Sequence, residues 1–134
     1  MAAQTNCLTR QEYYDLLVKT SEDGGFPARD YLYEPPPCKY RTSDGKKCAI
    51  GIIMPDNFYG EEMEGKSISV ILDFAIHNFS IPVDWIPEGM TVADLYLIQY
   101  IHDNLPVWDH KKFVEKLNET GCFRELKLAD EVNV

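Results

Sequence analysis

Three residues carry the side chains of a thiol-dependent enzyme: Cys48, His102 and Asp103. A cysteine becomes a nucleophile when a nearby histidine takes its proton and a third group orients that histidine. His102 and Asp103 are adjacent in a predicted helix, where neighbouring side chains point about 100° apart, so we expect Asp103 not to orient the ring. Cys48 lies on the predicted apolar face of its segment, and buried thiols are inert. The sequence therefore favours a structural Cys48 and disfavours an enzyme.

The other metal- and thiol-type residues lack the spacing of a binding site. The chain has 4 cysteines, at positions 7, 38, 48 and 122, and 3 histidines, without any C-x-x-C pair. Structural zinc sites usually take at least two ligands from one tight turn. The carboxylates of Glu61, Glu62 and Glu64 lack the helix-loop-helix frame of a calcium loop. We expect no metal site and no cofactor.

A dispersed set of polar residues is the candidate ligand site. These residues would line one cleft if the segment at 38–53 packs on the helix at 92–104, and the cleft would bind a small polar ligand or a nucleotide. The alternative is that they hydrogen-bond to one another and tie the loop to the helix. The candidates are Tyr40, Arg41, Asp56, Tyr59, Glu64, Gln99, His102 and Asp103.

The negative charge is concentrated in the middle of the chain. Of the formal net charge of −9, residues 54–105 carry −8, because their nine acids are balanced by Lys66 alone. Such a field repels nucleic acid and anionic membranes and attracts basic partners. Glu61, Glu62 and Glu64 are therefore the candidate partner-binding surface, and an acidic face that merely keeps the protein in solution is the alternative.

Helix-capping residues predict most of the elements that position these groups. Thr9 with Glu12, and Thr91 with Asp94, have the spacing of capping boxes at helix starts. Asp109 precedes a further amphipathic segment that Gly121 ends. For residues 67–79 the β-branched side chains leave a strand open for the first half. The predicted helices cover residues 10–21, 67–79, 92–104 and 110–120.

The stretch T-S-D-G-K at 42–46 predicts a hairpin. Ser43-Asp44 followed by a left-handed Gly45 would pair Thr42 with Lys46. This register places the apolar residues of both arms on one face. The chain of 134 residues suits a single domain. The predicted class is α+β: a short antiparallel β-hairpin at about 38–53, packed against three to four helices.

Several short motifs follow one another in the hairpin and the late helix. They are Cys38-Lys39-Tyr40-Arg41, Gly45, Lys47-Cys48-Ala49-Ile50-Gly51, Pro55-Asp56, Tyr59, Glu64-Gly65, and Gln99 with His102-Asp103-Asn104. In these motifs the chain resembles a family of small proteins from bacteria, prophages and phages that has no assigned activity. The resemblance covers roughly residues 38 to 108 and the opening helix, and it implies a phage or bacterial cytoplasmic setting.

Size, charge and resemblance together predict a non-enzymatic phage or prophage accessory protein that binds and modulates a host protein, with inhibition of a defence or housekeeping system as the favoured mode. The runner-up is a binder of a small polar ligand that uses the cleft, and a Cys48- or His102-dependent enzyme comes third. No apolar run approaches the roughly 20 residues of a membrane span, and the first residues lack a signal-peptide pattern. We therefore expect the cytoplasm of a bacterial host, while homodimerisation stays open.

Overall fold

Four α-helices make up the regular structure in the described part of a computed structural model of the chain. Described are residues 7–29, 38–78, 84–105, 108–126 and 128, with the side chains of 74–78 left aside. The helices are α1 (Arg10–Glu22), α2 (Ile68–Asn78), α3 (Val92–Asn104) and α4 (His110–Glu119), with a short 3-10 turn at Glu61–Met63. The predicted helices are confirmed, and the strand alternative for the start of α2 is wrong.

The predicted caps start three of the helices. Both capping boxes form, because Thr9 and Thr91 each accept from the backbone N–H three residues on, and the Glu12 and Asp94 carboxylates return the bond. The Asp109 side chain accepts from the N–H of residue 112 at the start of α4. These bonds satisfy amide groups that have no partner inside a helix.

The α+β prediction is wrong, because no residue of the described ranges belongs to a β-strand. Only isolated bridges occur, including Arg41 with Lys47. The turn at 42–46 does close: the Thr42 N–H donates to the Lys46 carbonyl at 2.9 Å, and Gly45 has φ +90°. The pairing ends one step later, where the Cys48 N–H donates to the Tyr40 carbonyl at 3.2 Å. The predicted hairpin at 38–53 is therefore absent.

Successive tight turns replace its second arm. The N–H groups of Ile52, Ile53 and Met54 donate to carbonyls three or four residues back, as in a helical turn. The physical reason is a close crossing of two backbone segments at Gly51, where an added Cβ would lie 2.1 Å from the Tyr40 carbonyl oxygen. The run A-I-G-I-I-M is apolar throughout, so its sequence has no period that separates strand from turn.

Helix α3 has one buried side and one side that faces outwards. α3 packs against both α2 and α4, and α1 packs against α4. Leu95, Ile98 and His102 form the fully buried side of α3. Ile101 is apolar but only partly buried, whereas the polar His102 is fully buried. The opposite side of α3 faces outwards, next to the turns of residues 38–40 and 64–68.

Candidate functional site

Glu64 is a structural residue that holds the backbone of residues 38–66, which we call the turn region. Its carboxylate accepts from the backbone N–H of Tyr40 at 2.8 Å and from that of Arg41 at 3.1 Å. It also accepts from the Tyr59 hydroxyl at 2.6 Å. The isolated bridges of Cys38 and Arg41 do not use the N–H groups of Tyr40 and Arg41, so the carboxylate accepts these two hydrogen bonds instead. Glu64 is committed inside the fold, which removes it from both predicted sites as a free group.

Arg41 completes this arrangement. Its guanidinium donates to the Met54 carbonyl at 2.8 Å, pairs with Asp56 at 2.9 Å, and lies 4.6 Å from the centre of the Tyr59 ring. Arg41, Asp56, Tyr59 and Glu64 therefore form one cluster, which we call the loop clamp. For these four candidates the contacts match the alternative reading, in which polar residues tie loops together.

His102 is fixed between two partners. Its Nε2 accepts the backbone N–H of Ala28 at 3.0 Å, so this nitrogen carries no proton. The neutral ring therefore has its proton on Nδ1, which donates to Asp103 Oδ1 at 2.8 Å. The expectation that Asp103 cannot orient its neighbour is wrong, because the two side-chain tips meet despite their different directions. His102 is nevertheless fully buried, as a structural acceptor would be.

Cys38, His102 and Asp103 offer ligand atoms within 4.8 Å of one another, a spacing that would suit a metal ion. A histidine ligand binds the ion through one nitrogen and normally donates a hydrogen bond from the other. Binding through Nδ1 would put a proton on Nε2, directly against the N–H of Ala28. The donor set thus fits an internal hydrogen-bond chain and does not fit a metal.

The thiols of Cys38 and Cys48 are poor nucleophiles. Burial raises the pKa of Cys48 to about 12, and its side chain is fully buried, as predicted. Burial also raises the pKa of Cys38 to about 11, and the negative charge of Asp103 together with its hydrogen bond to the thiol adds to the shift. The reactive form of a cysteine is the thiolate. Neither cysteine has the environment of a catalytic residue.

A cavity of about 310 Å³ opens between the turn region and the outer side of α3. We call it the α3 cleft. Four of the predicted ligand-binding residues line it, namely Tyr40, Glu64, Gln99 and Asp103, whereas among the described lining residues Arg41, Asp56, Tyr59 and His102 do not occur. The full lining is Cys38, Lys39, Tyr40, Glu64, Gly65, Lys66, Ser67, Ile68, Tyr96, Gln99, Tyr100, Asp103 and Asn104.

Sequence reasoning missed the aromatic part of this site. Tyr96 and Tyr100 are 51% and 55% exposed and both line the cleft, and Leu97 beside them is 39% exposed. Residues four apart on a helix share one side, so the two rings are neighbours. We call Tyr96, Leu97 and Tyr100 the α3 face. The available signal was two tyrosines with helical spacing that lie off the buried stripe.

The three acids of the predicted partner-binding surface differ in their exposure to solvent. Glu61 and Glu62 are exposed, and the Glu62 carbonyl accepts from the Lys66 ammonium at 2.5 Å. Glu64 is only partly exposed and belongs to the loop clamp. Of the predicted partner-binding acids, only Glu61 and Glu62 present their side chains to solvent.

Comparison with known protein families, with curated proteins and with solved structures finds no match for this chain. The resemblance based on the K-C-A-I-G block and its flanking motifs therefore remains an expectation. Among the described residues, no helix has the length and hydropathy needed to cross a lipid bilayer.

Proposed function

We propose that this protein is a non-enzymatic binding protein that recognises a basic surface of another protein through the α3 face and the α3 cleft. The observation that carries the proposal is the outward exposure of Tyr96, Leu97 and Tyr100 on one helix. These side chains lie within residues 54–105, where the acids outnumber the bases by eight.

Large exposed apolar side chains are concentrated on α3. Within the described part of the chain, three of the five such residues belong to the α3 face, a fourth is Val70 on the neighbouring α2, and the fifth is Leu128. Single exposed apolar residues are ordinary, but clusters mark interaction surfaces. Tyrosine is enriched in protein interfaces and among the residues whose truncation costs most binding energy. The α3 face has this composition.

Charge specifies the kind of partner. The acids of residues 54–105 have Lys66 as their only basic neighbour in sequence, and Lys66 donates to the Glu62 carbonyl. A field of this sign speeds the approach of a basic protein surface and opposes nucleic acid. The family resemblance would place the partner in a bacterial cytoplasm, and we include that setting, with inhibition as the expected effect of binding, in the proposal.

The test is quantitative affinity capture from bacterial lysate with matched variants. Leu97→Ser removes an apolar side chain of the α3 face, and Leu128→Ser removes one of nearly equal exposure elsewhere, at 39% and 38%. We expect mass spectrometry to find a basic protein that the wild type and Leu128→Ser retain and that Leu97→Ser and the Tyr96→Ser/Tyr100→Ser variant lose. Equal recovery by all four proteins would contradict the proposal.

A second candidate function is binding of a small polar ligand in the α3 cleft. The observation in its favour is the volume of about 310 Å³, at the lower end of the range for small-molecule sites. A ligand that binds only the folded state raises the melting temperature. The test is a thermal-shift screen of nucleotides and metabolites, with Asp103→Asn as the binding-site variant. If the screen finds no shift that depends on Asp103, protein recognition remains as the function.

A further inference from the structure

We propose that the α3 cleft receives an arginine side chain of the partner protein, with the guanidinium against Asp103 and between the rings of Tyr96 and Tyr100. This inference rests on the proposed function and specifies its central contact. It uses the side of the cleft that α3 forms, where Tyr96 and Tyr100 are about half exposed.

Asp103 has acceptor capacity left on the cleft side. Both side-chain N–H bonds from its own helix, from His102 at 2.8 Å and from Gln99 at 2.9 Å, arrive at Oδ1. A carboxylate has about four acceptor positions on its two oxygens. The Cys38 thiol adds one further hydrogen bond to the carboxylate. A fixed, half-buried carboxylate with one acceptor position still open is a suitable counter-group for a cation.

The two tyrosines determine which cation fits. Their rings line the same cleft as Asp103 and are about half exposed, so their faces can be covered by a bound group. A guanidinium is planar, stacks on aromatic rings and is weakly hydrated, whereas a lysine ammonium is a compact, strongly hydrated charge. The combination of a carboxylate and two aromatic rings therefore favours arginine.

Two acids, Glu64 and Asp103, and two lysines, Lys39 and Lys66, line the described part of the cleft. The Lys66 ammonium is directed to the Glu62 carbonyl, and Lys39 has an interaction partner of its own. Burial raises the pKa of both Cys38 and Tyr40, and the negative charge of Asp103 adds to both shifts, while Arg29 lowers the pKa of Cys38. Asp103 is thus the acid whose charge acts on two other lining residues of the cleft.

The experiment uses the full chain and three small probes: the N-acetyl methylamides of arginine, lysine and glutamate. Titrations are followed by the backbone amide signals of residues 38–40 and 96–104 in two-dimensional NMR at physiological salt. We expect saturable shifts with the arginine probe, with a dissociation constant on the order of 1 mM, as is usual for such small fragments. The lysine probe should bind more weakly, and the glutamate probe should give no saturable shift.

The variant for this experiment is Asp103→Asn. It keeps an oxygen that accepts from His102 and Gln99, so the fold is preserved while the charge is lost. The matched control is Glu22→Gln, which removes one exposed acid at the end of α1. We expect Asp103→Asn to weaken arginine binding about tenfold and Glu22→Gln to change it by less than about twofold.

The outcomes separate the inference from the proposed function. The absence of saturable shifts with arginine, equal binding of lysine, or preference for glutamate would overturn the inference. So would lysate capture that the α3-face variants lose and Asp103→Asn retains, a result that leaves the proposed function in place. Arginine binding that depends on Asp103, together with capture that no α3-face variant reduces, would support the cleft chemistry and overturn the proposed function.

Discussion

The turn region, residues 38–66, differs from helix α3 in how it uses its polar side chains. Both contain residues of the predicted site. In the turn region the backbone has few regular partners, so side chains take its hydrogen bonds. The Glu64 carboxylate accepts from two backbone N–H groups, and the Tyr40 hydroxyl donates to the Lys66 carbonyl at 2.5 Å. In α3 the backbone satisfies itself. Its outward side chains, Tyr96 and Tyr100, are therefore available for binding.

Two polar side chains of α3 that contact irregular segments are also used as hydrogen-bond partners of the backbone. Gln99 accepts from the backbone N–H of Ile50 at 3.3 Å, and His102 accepts from that of Ala28 at 3.0 Å. Both donors lie in irregular segments, where a buried N–H without a partner would cost stability. Polar groups next to irregular backbone are thus structural in this protein, and groups on the free side of a regular helix are the functional candidates.

The largest effect that this comparison predicts is at Gly51. Gly51→Ala would place a Cβ 2.1 Å from the Tyr40 carbonyl oxygen, which forces two backbone segments apart. We expect the free energy of unfolding to fall by about 3 kcal/mol, measured by urea denaturation. The control is Gly45→Ala at φ +90°, where a Cβ meets no atom within 4 Å and only conformational strain of about 1 kcal/mol arises. An equal or larger loss at Gly45 would contradict the close crossing.

The next effect concerns the loop clamp. Glu64→Ala removes the acceptor for the N–H groups of Tyr40 and Arg41 and for the Tyr59 hydroxyl. We expect a loss of about 2 kcal/mol in the free energy of unfolding, because partly buried donors lose their partner. Glu61→Ala is the control, since its exposed side chain should matter by less than about 0.5 kcal/mol. Similar losses in the two variants would mean that Glu64 has no structural role beyond that of an exposed acid.

Cys38 lies where the two regions meet, and its reactivity reports on Asp103. Because the pKa is raised from 9.0 to about 11, the thiol stays protonated until the pH rises through that higher value. At pH 8 we expect iodoacetamide to modify Cys38 on the order of 10- to 100-fold more slowly than in the urea-unfolded chain. The rate should rise through about pH 11, as followed by peptide mass spectrometry.

Asp103→Asn tests the cause of that shift. Loss of the neighbouring negative charge makes the thiolate less unfavourable, so the pH profile should move down towards 9.0 and alkylation at pH 8 should become faster. An unchanged profile in this variant would mean that burial alone accounts for the raised pKa. It would also weaken the argument that the charge of Asp103 acts on its neighbours in the α3 cleft.

The sequence predicts those parts of the fold that local chemistry decides. Thr9 with Glu12, and Thr91 with Asp94, begin their helices because the caps act within four residues. The second arm of the hairpin could not be predicted, because an apolar run without a period fits a strand and a buried turn equally well. The close crossing at Gly51 decides between them, and it depends on a distant carbonyl.

The candidate site could also be predicted only in part from the sequence. Polar residue types selected eight candidates in the turn region and α3, and four of them, Tyr40, Glu64, Gln99 and Asp103, line one cavity. Which of them are consumed by backbone groups depends on where the chain lacks regular structure, and that is a tertiary property. The exposure of Tyr96 and Tyr100 also follows from packing, because α3 turns its other side to the core.

The smallest effect on stability should come from the surface that matters most for binding. Tyr96→Ser/Tyr100→Ser removes two exposed rings, and serine and tyrosine have similar helix propensities. We therefore expect the free energy of unfolding to change by less than about 0.5 kcal/mol, while partner capture is lost. Tyr40→Phe removes a single hydroxyl from the turn region, the donor to the Lys66 carbonyl, and should cost about 1 kcal/mol in the same urea titration.

The comparison fails if this order is reversed. A double α3 variant less stable than Tyr40→Phe would mean that the two tyrosines hold the fold, so that loss of capture would report unfolding and not a missing contact. A stable double variant with normal capture would instead move the binding surface away from α3. Only a stable variant that loses its partner supports the division between a turn region that consumes its polar groups and a helix that presents its side chains outwards.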